Sequence, residues 1–433
     1  MNGVSQRVNR VEWHQVFPWL RLFRAFWIAI DLRKLFLAAA ALLLVAVGDF
    51  CLDRVSVVLA RPDSSLSRVQ SPVKTQSVWP WLSESQMLIT DAAMKTDVGV
   101  ERILSESLTC GFEVIQHPVR ALVVPALSLL DRGQSWTQLA FKWTRLLWRL
   151  LVWAMFAGAI TRLAAVQFAH ADSESFVSAL GFTRRHYWDY VLAPLLPLLA
   201  ILLFAAICMC GGWVGRLAGG AFVGISWPLF FSVGLLMTLV LIGAVAGWPM
   251  MFATVSTEAS DGFDGFSRTY NFVYGWPWHF GWNCLVSLVY GTLSAAFFCL
   301  VVGLACYLSL WGVEAGLGTS GSANAFGNSA RGLAATLGLF WLNLLNLVSL
   351  AFGYSFFWTV FTINYFLMRE RDDGTSLSDV YIPEQQDSDA LAPVAGVAAS
   401  DQPIIERPSP SGLADEANAY DERESSSDEL GDR

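Results

Sequence analysis

Charge is the first scarcity of this chain. Asp, Glu, Lys and Arg make up 15% of its 433 residues against 55% apolar residues, and the mean hydropathy is +0.47. A balance so poor in charge excludes an ordinary soluble enzyme and points to lipid as the solvent. Histidine is sparse as well: His14, His117, His170, His186 and His279 are scattered without His-x3-His or His-Glu-x2-His spacing, so no metal site is expected. Phosphate-cradling glycine loops of the Gly-x4-Gly-Lys-[Ser/Thr] and Gly-x-Gly-x-x-Gly kinds are missing in usable context, and the only dense charge block is acidic. Nucleotide binding, nucleic-acid binding and a cofactor are therefore not expected.

Apolar sequence is what the chain has in abundance. The runs 35–52, 147–166, 191–211, 225–250, 278–311 and 337–368 approach or exceed the roughly 20 residues that a helix needs to cross a hydrocarbon core about 30 Å thick. The reading is an all-α, polytopic transmembrane helix bundle of about six spans. The first run is short, and the last two are long enough to predict tilt or projection beyond the bilayer. Many of the nineteen Trp, including Trp27, Trp148, Trp153, Trp213, Trp248, Trp278 and Trp311, fall near span ends, where an amphipathic ring suits the headgroup layer.

Basic residues set the expected orientation. Arg7, Arg10, Arg21, Arg24, Arg33 and Lys34 precede the first span, and Arg184 and Arg185 lie between the second and third, whereas short connections on the opposite side hold only Arg216 and Arg331. The positive-inside bias places both termini in the cytoplasm, consistent with an even number of spans. Segment 1–34 is then a cytoplasmic interfacial segment, 35–371 the membrane domain with a long external insertion at 53–144, and 372–433 a cytoplasmic tail. In 1–34, Trp19, Leu20, Leu22, Phe23, Phe26, Trp27 and Ile30 form an apolar face that either lies in the interface or packs on the bundle. The tail carries sixteen Asp or Glu against three Arg, a balance of −13 where the whole chain is −8. With few aromatics it is expected to be disordered, and its run 421–432 is either a plain solvated charge run or a docking segment for a protein partner. Residues 312–332 read as a flexible Gly/Ser/Asn-rich external loop.

A phrase occurs twice. [Ser/Thr]-Glu-x6-Gly-Phe-[Thr/Ser]-Arg runs from Ser173 to Arg184 and again from Thr257 to Arg268, each time between two spans. It predicts an internal span-loop-span repeat with a short amphipathic helix along the inner surface. Asp172 or Ser173 would cap the first of these helices, and Ser260 or Asp261 the second. Asp264 stands four residues before Arg268, a favourable pairing order. Arg184, Arg185 and Arg268 would meet phosphate headgroups. Glu174 and Glu258 are either carboxylates at helix N-termini or acidic groups beside a span that hold an ion, a proton or an amine.

Other polar positions are few. Asn343, Asn346, Ser349 and Gly353 share one side of the last span, where they line a path or bridge helices. Cys51 and Cys110 both fall near the outer side, leaving a disulfide between them open. No convergent cluster of the kind that catalysis requires is displayed, so an enzyme is not expected.

Three stretches carry a resemblance. They are Ser256-Thr-Glu-Ala-Ser-Asp-Gly-Phe-Asp-Gly-Phe-Ser-Arg-Thr-Tyr270, Ala159-Ile-Thr-Arg162 with Ala164-Ala-Val-Gln167, and Phe366-Leu-Met-Arg-Glu-Arg-Asp-Asp-Gly-Thr375. Over roughly 15–375 the chain resembles a family of bacterial polytopic membrane proteins. That family is distantly similar to the membrane domain beside glycerophosphodiester phosphodiesterases and to Yip1-type membrane proteins. The resemblance implies architecture and a bacterial inner membrane, and no catalytic residue carries over. Two functions follow as expectations: a structural or membrane-organising protein with lipids as partners, or a transporter or permease subunit with a mid-bilayer cavity lined by Asn343 and Asn346.

Overall fold

The computed structural model describes residues 17–59, 100–131, 133–170, 174–317, 333–381, 394–397 and 403–406. The chain divides into two units, Met1–Val380 and Tyr381–Arg433. Among the described residues the first has ten helices: α1 (Ala25–Ala29), α2 (Leu32–Leu59), α3 (Val100–Leu127), α4 (Trp136–His170), α5 (Phe176–Arg185), α6 (Tyr187–Ala218), α7 (Gly220–Glu258), α8 (Gly262–Gly275), α9 (Pro277–Leu317) and α10 (Leu333–Asp373). A 3-10 turn, Pro18–Arg24, leads into α1. In the second unit Val394–Val397 (β1) pairs antiparallel with Pro403–Glu406 (β2). The expectation of tail disorder otherwise falls on residues outside the described set.

Six helices, α2, α4, α6, α7, α9 and α10, are long and apolar enough to cross a membrane, and the chain is a multi-pass membrane protein. Each contains one of the expected runs and outgrows it. Run 225–250 becomes the 39 residues of α7, about 58 Å of helix at 1.5 Å per residue. The expected loop 312–332 begins later, because α9 runs on through Gly312 and Gly316 to Leu317, and the remainder lies outside the described residues. Gly219, at φ +88°, supplies the left-handed turn that folds α7 back on α6, and the Gly211 and Gly215 surfaces receive Phe230 and Val223.

Helices α4 and α10 form the centre. Trp153 of α4 stacks on Tyr354 of α10 with ring centroids 4.4 Å apart, and Trp358 and Phe252 close over the pair. Trp153 is thus a core residue and not an interfacial one, because its depth is set by its partners across the bundle. Outer helices α6, α7 and α9 expose Leu202, Leu203, Leu229, Phe231, Leu235, Leu293 and Phe297 along their lengths. Such surface is stable only where the surroundings are apolar.

Polar contacts give the ends of the bundle. Lys34 of α2 donates to Gln167 Oε1 of α4 at 2.7 Å, and Arg21 pairs with Glu370 at 2.5 Å, so the chain enters and leaves at one end, where α4 passes into α5 and α7 into α8. At the far end Arg149 of α4 binds Asp49 of α2 at 2.6 Å and Arg145 pairs with Asp53.

Three expectations change. Segment 53–144 is not simply an external insertion: within it, α3 packs antiparallel on α9, Ile103 lying against Leu300 and Leu304 and Gly111 against Thr292 and Ala296. Glu101, Glu106, Glu113 and Arg120 break the apolar run in α3 and hide this buried face from a hydropathy reading. Since α2 ends and α4 begins at the far end, α3 adds no crossing. Near the N-terminus, Leu22, Ala25, Ile28 and Ala29 are buried with Phe352, Phe356 and Phe366, which selects packing on the bundle for that stripe, while Phe23 and Trp27 stay exposed. The tail boundary also moves: Arg369 Nη2 donates to the carbonyls of Ser376 and Asp379, and Val380 is buried, so the residues after Asp373 are held to the bundle as far as Val380.

Candidate functional site

The two elbows are built alike and wired differently. In the first, α4 ends at His170 and Ser175 caps α5, its hydroxyl accepting from Ser178 N at 3.1 Å. The expected caps Asp172 and Ser173 lie outside the described residues. In the second, α7 ends at Glu258, Ala259 turns through the left-handed region at φ 53°, and Asp261 caps α8 by accepting from Asp264 N at 2.8 Å. The expected pairing of Asp264 with Arg268 is present at 3.0 Å.

Neither short helix lies apart along a surface. Each folds back on the span it follows, and glycines in that span make the room. A Cβ on Gly158 would fall 2.6 Å from the Thr183 methyl, and one on Gly247 would fall 2.4 Å from the Thr269 methyl. Tyr270 OH then donates to Val240 O at 2.6 Å, and Tyr274 OH to Leu239 O. Burial, and then the neighbouring Tyr274, hold the Tyr270 hydroxyl well above its ordinary range, so it stays a donor.

Glu174 receives Arg162 Nε at 3.1 Å on one oxygen and Ser178 Oγ at 2.7 Å on the other, while its carbonyl accepts from Arg33 Nη1 at 2.9 Å. The Arg162 side chain is 1% exposed and that of Glu174 14%. The same guanidinium donates to Ser256 O at 2.9 Å and lies 4.3 Å over the Phe182 ring. Ser256 Oγ contacts Thr161 Oγ1 at 2.5 Å and Tyr190 OH at 2.8 Å. Arg162 therefore ties the first elbow to the end of α7, just ahead of Glu258. It sits eight residues before His170, about 12 Å along the helix, near the elbow end of α4.

Glu258 collects three donors on Oε1: Tyr365 OH at 2.5 Å, Arg268 Nη1 at 3.0 Å and Arg369 Nη1 at 3.4 Å. Arg268 also approaches Asp373 at 3.6 Å. The second elbow meets the first turn of α6 where Gly262 N donates to Asp189 Oδ1 at 3.3 Å. Glu174 and Glu258 are thus ion-pair hubs joining spans. The correspondence of Arg184 with Arg268 fails chemically: Arg268 turns inward to three carboxylates, whereas Arg184 is exposed and makes no ion pair among the described residues.

Sequence reading missed Arg162, Lys34, Tyr365 and Arg369. The signal for the first was present, since a lone cation inside an apolar run needs a partner; nothing local marks Tyr365 as reaching Glu258. Asn343 is buried and Asn346 half-buried on α10, and neither lines the cleft of about 290 Å³ between α3, α4, α6 and α7. That cleft is walled by Leu122, Trp153, Pro194, Pro197, Trp248 and Phe252 among other apolar residues. No group of His, Cys, Asp and Glu able to hold a metal occurs among the described residues. Comparison with protein-family models, curated proteins and solved structures gives no match, so the reading of this site stands on its own geometry.

Proposed function

We propose that this chain is a structural, membrane-organising protein of a bacterial inner membrane, not an enzyme, with both termini in the cytoplasm. One observation carries the reading: Glu174 and Glu258 at the elbow end are each engaged by cations of neighbouring elements. Glu174 with Arg162, and Glu258 with Arg268 and Arg369, lock α4, α7 and α10 together through ion pairs. The basic bias of the short connections supports the orientation. The duplicated phrase, with glycine receiving threonine at both elbows, supports descent from an internal repeat. Membrane lipids and a protein docked on the acidic tail are the proposed partners.

The apolar cleft favours one alternative, a permease subunit for a lipid, since its walls suit an acyl chain better than a polar solute. Affinity purification from native membranes, with identification of co-purifying proteins and lipids, separates the two. Recovery of an ATPase subunit in stoichiometric amount would overturn the scaffold. A reporter fused after Thr375 that is active only outside the cell would overturn the orientation.

A further inference from the structure

The seven cysteines are not equivalent. Cys51 and Cys210 are exposed, Cys208 and Cys284 half-buried, and Cys306 buried. Cys110 of α3 and Cys299 of α9 are both buried, and their sulfurs lie 3.1 Å apart. The approach of the two helices explains this. Gly111 has no Cβ, and one placed there would fall 2.4 Å from Ala296 N and 2.7 Å from Thr292 O. With the backbones this close, the adjoining thiols reach each other across the seam. Their separation exceeds a disulfide bond of about 2.05 Å by only about 1 Å, which side-chain rotation closes. Cys51, the partner open from sequence alone, remains exposed on α2.

We propose that Cys110 and Cys299 form a disulfide that staples α3 to α9. This rests on the outward placement of the far end under Proposed function, because a compartment outside the inner membrane supplies the oxidant. The oxidant is an oxidised dithiol carrier protein, acting on Cys110 before α3 docks, while that thiol is reachable outside the spans. The Cys110 thiolate attacks a sulfur of the carrier disulfide and displaces one carrier thiolate, giving a mixed disulfide. The Cys299 thiolate then attacks the Cys110 sulfur and displaces the second. Two thiols of this chain are oxidised, one carrier disulfide is reduced, and the two protons pass to the carrier thiolates.

The test uses the full chain in native membranes, blocked with N-ethylmaleimide before lysis, denatured without reductant, blocked again and digested for mass spectrometry. The expected result is a linked peptide pair containing Cys110 and Cys299, two hydrogens lighter than the sum of its parts, that appears as two alkylatable peptides only after reduction. In Cys110→Ser, Cys299 should take the label without reductant. Full labelling of both residues in the unreduced wild-type chain overturns the staple. So does a linked pair joining Cys110 to Cys51. The reporter after Thr375 reads orientation independently: a cytoplasmic reporter, which puts the far end outside, together with free thiols refutes the disulfide alone, and an external reporter with free thiols refutes both.

Discussion

At the residue scale the informative groups are charges that the bundle has dried. Arg162 is almost without solvent, and Glu174, the Ser256 carbonyl and the Phe182 ring surround it. Arg162→Leu leaves a carboxylate with little water and no cation, a loss of about 3 kcal/mol, whereas removing both partners together leaves no orphaned charge. The double variant Arg162→Leu/Glu174→Leu should therefore be clearly more stable than the two single losses added together, measured by unfolding in detergent; strict additivity would refute the pairing. His117 of α3 gives a second case, beside the central Trp153–Tyr354 pair. Its Nδ1 lies 3.0 Å from Tyr354 OH, and burial, then Arg149, then Arg120 depress its pKa to about 4. The folded chain prefers the neutral ring, so its contribution is complete above the ordinary value of about 6.5 and fades as pH falls towards 4. His117→Asn should flatten the acid side of the detergent stability profile, and an unchanged profile would count against the buried ring.

Elements divide into those that a local reading reaches and those it does not. The six spans are legible because a run of about 20 apolar residues is sufficient by itself. Helix α3 is not, because its partners on α9 lie far along the sequence. Among the residues of the repeated phrase, Glu174, Glu258, Asp264 and Arg268 carry the elbow chemistry, while the matching Arg184 does not. Matched residues need not share surroundings. Gly181 and Gly265 occupy the same place in the phrase, yet a Cβ on Gly181 meets open space, whereas one on Gly265 would lie 3.3 Å from Met251 O. Gly181→Ala, inside the exposed turn of α5, should stabilise by about 0.5 kcal/mol through helix propensity. Gly111→Ala should instead cost about 1–3 kcal/mol, because the atoms its Cβ would strike belong to the α9 backbone and cannot rotate away. Equal effects in the two variants, read as thermal midpoints in one detergent, would remove the argument that α3 is seated by its glycine.

For the whole molecule the decisive quantity is what surrounds the outer helices. Leu235 stands inside α7, within a long apolar stretch, and its side chain is exposed. The exposure has opposite consequences in two solvents. In water, Leu235→Arg would add a charge to an exposed position and change stability by no more than about 0.5 kcal/mol. In a hydrocarbon layer the same arginine near the middle of a span costs roughly 2.5–3.5 kcal/mol on insertion scales. An insertion assay on α7 with its flanking elbow should thus show a fall in the membrane-integrated fraction for Leu235→Arg, and little change for Leu235→Ile. Ser260→Arg, at the elbow beyond the span, supplies the internal control, since a cation in the headgroup layer is tolerated there. Equal integration of all three chains would place α7 in water, and the multi-pass architecture would fall with it.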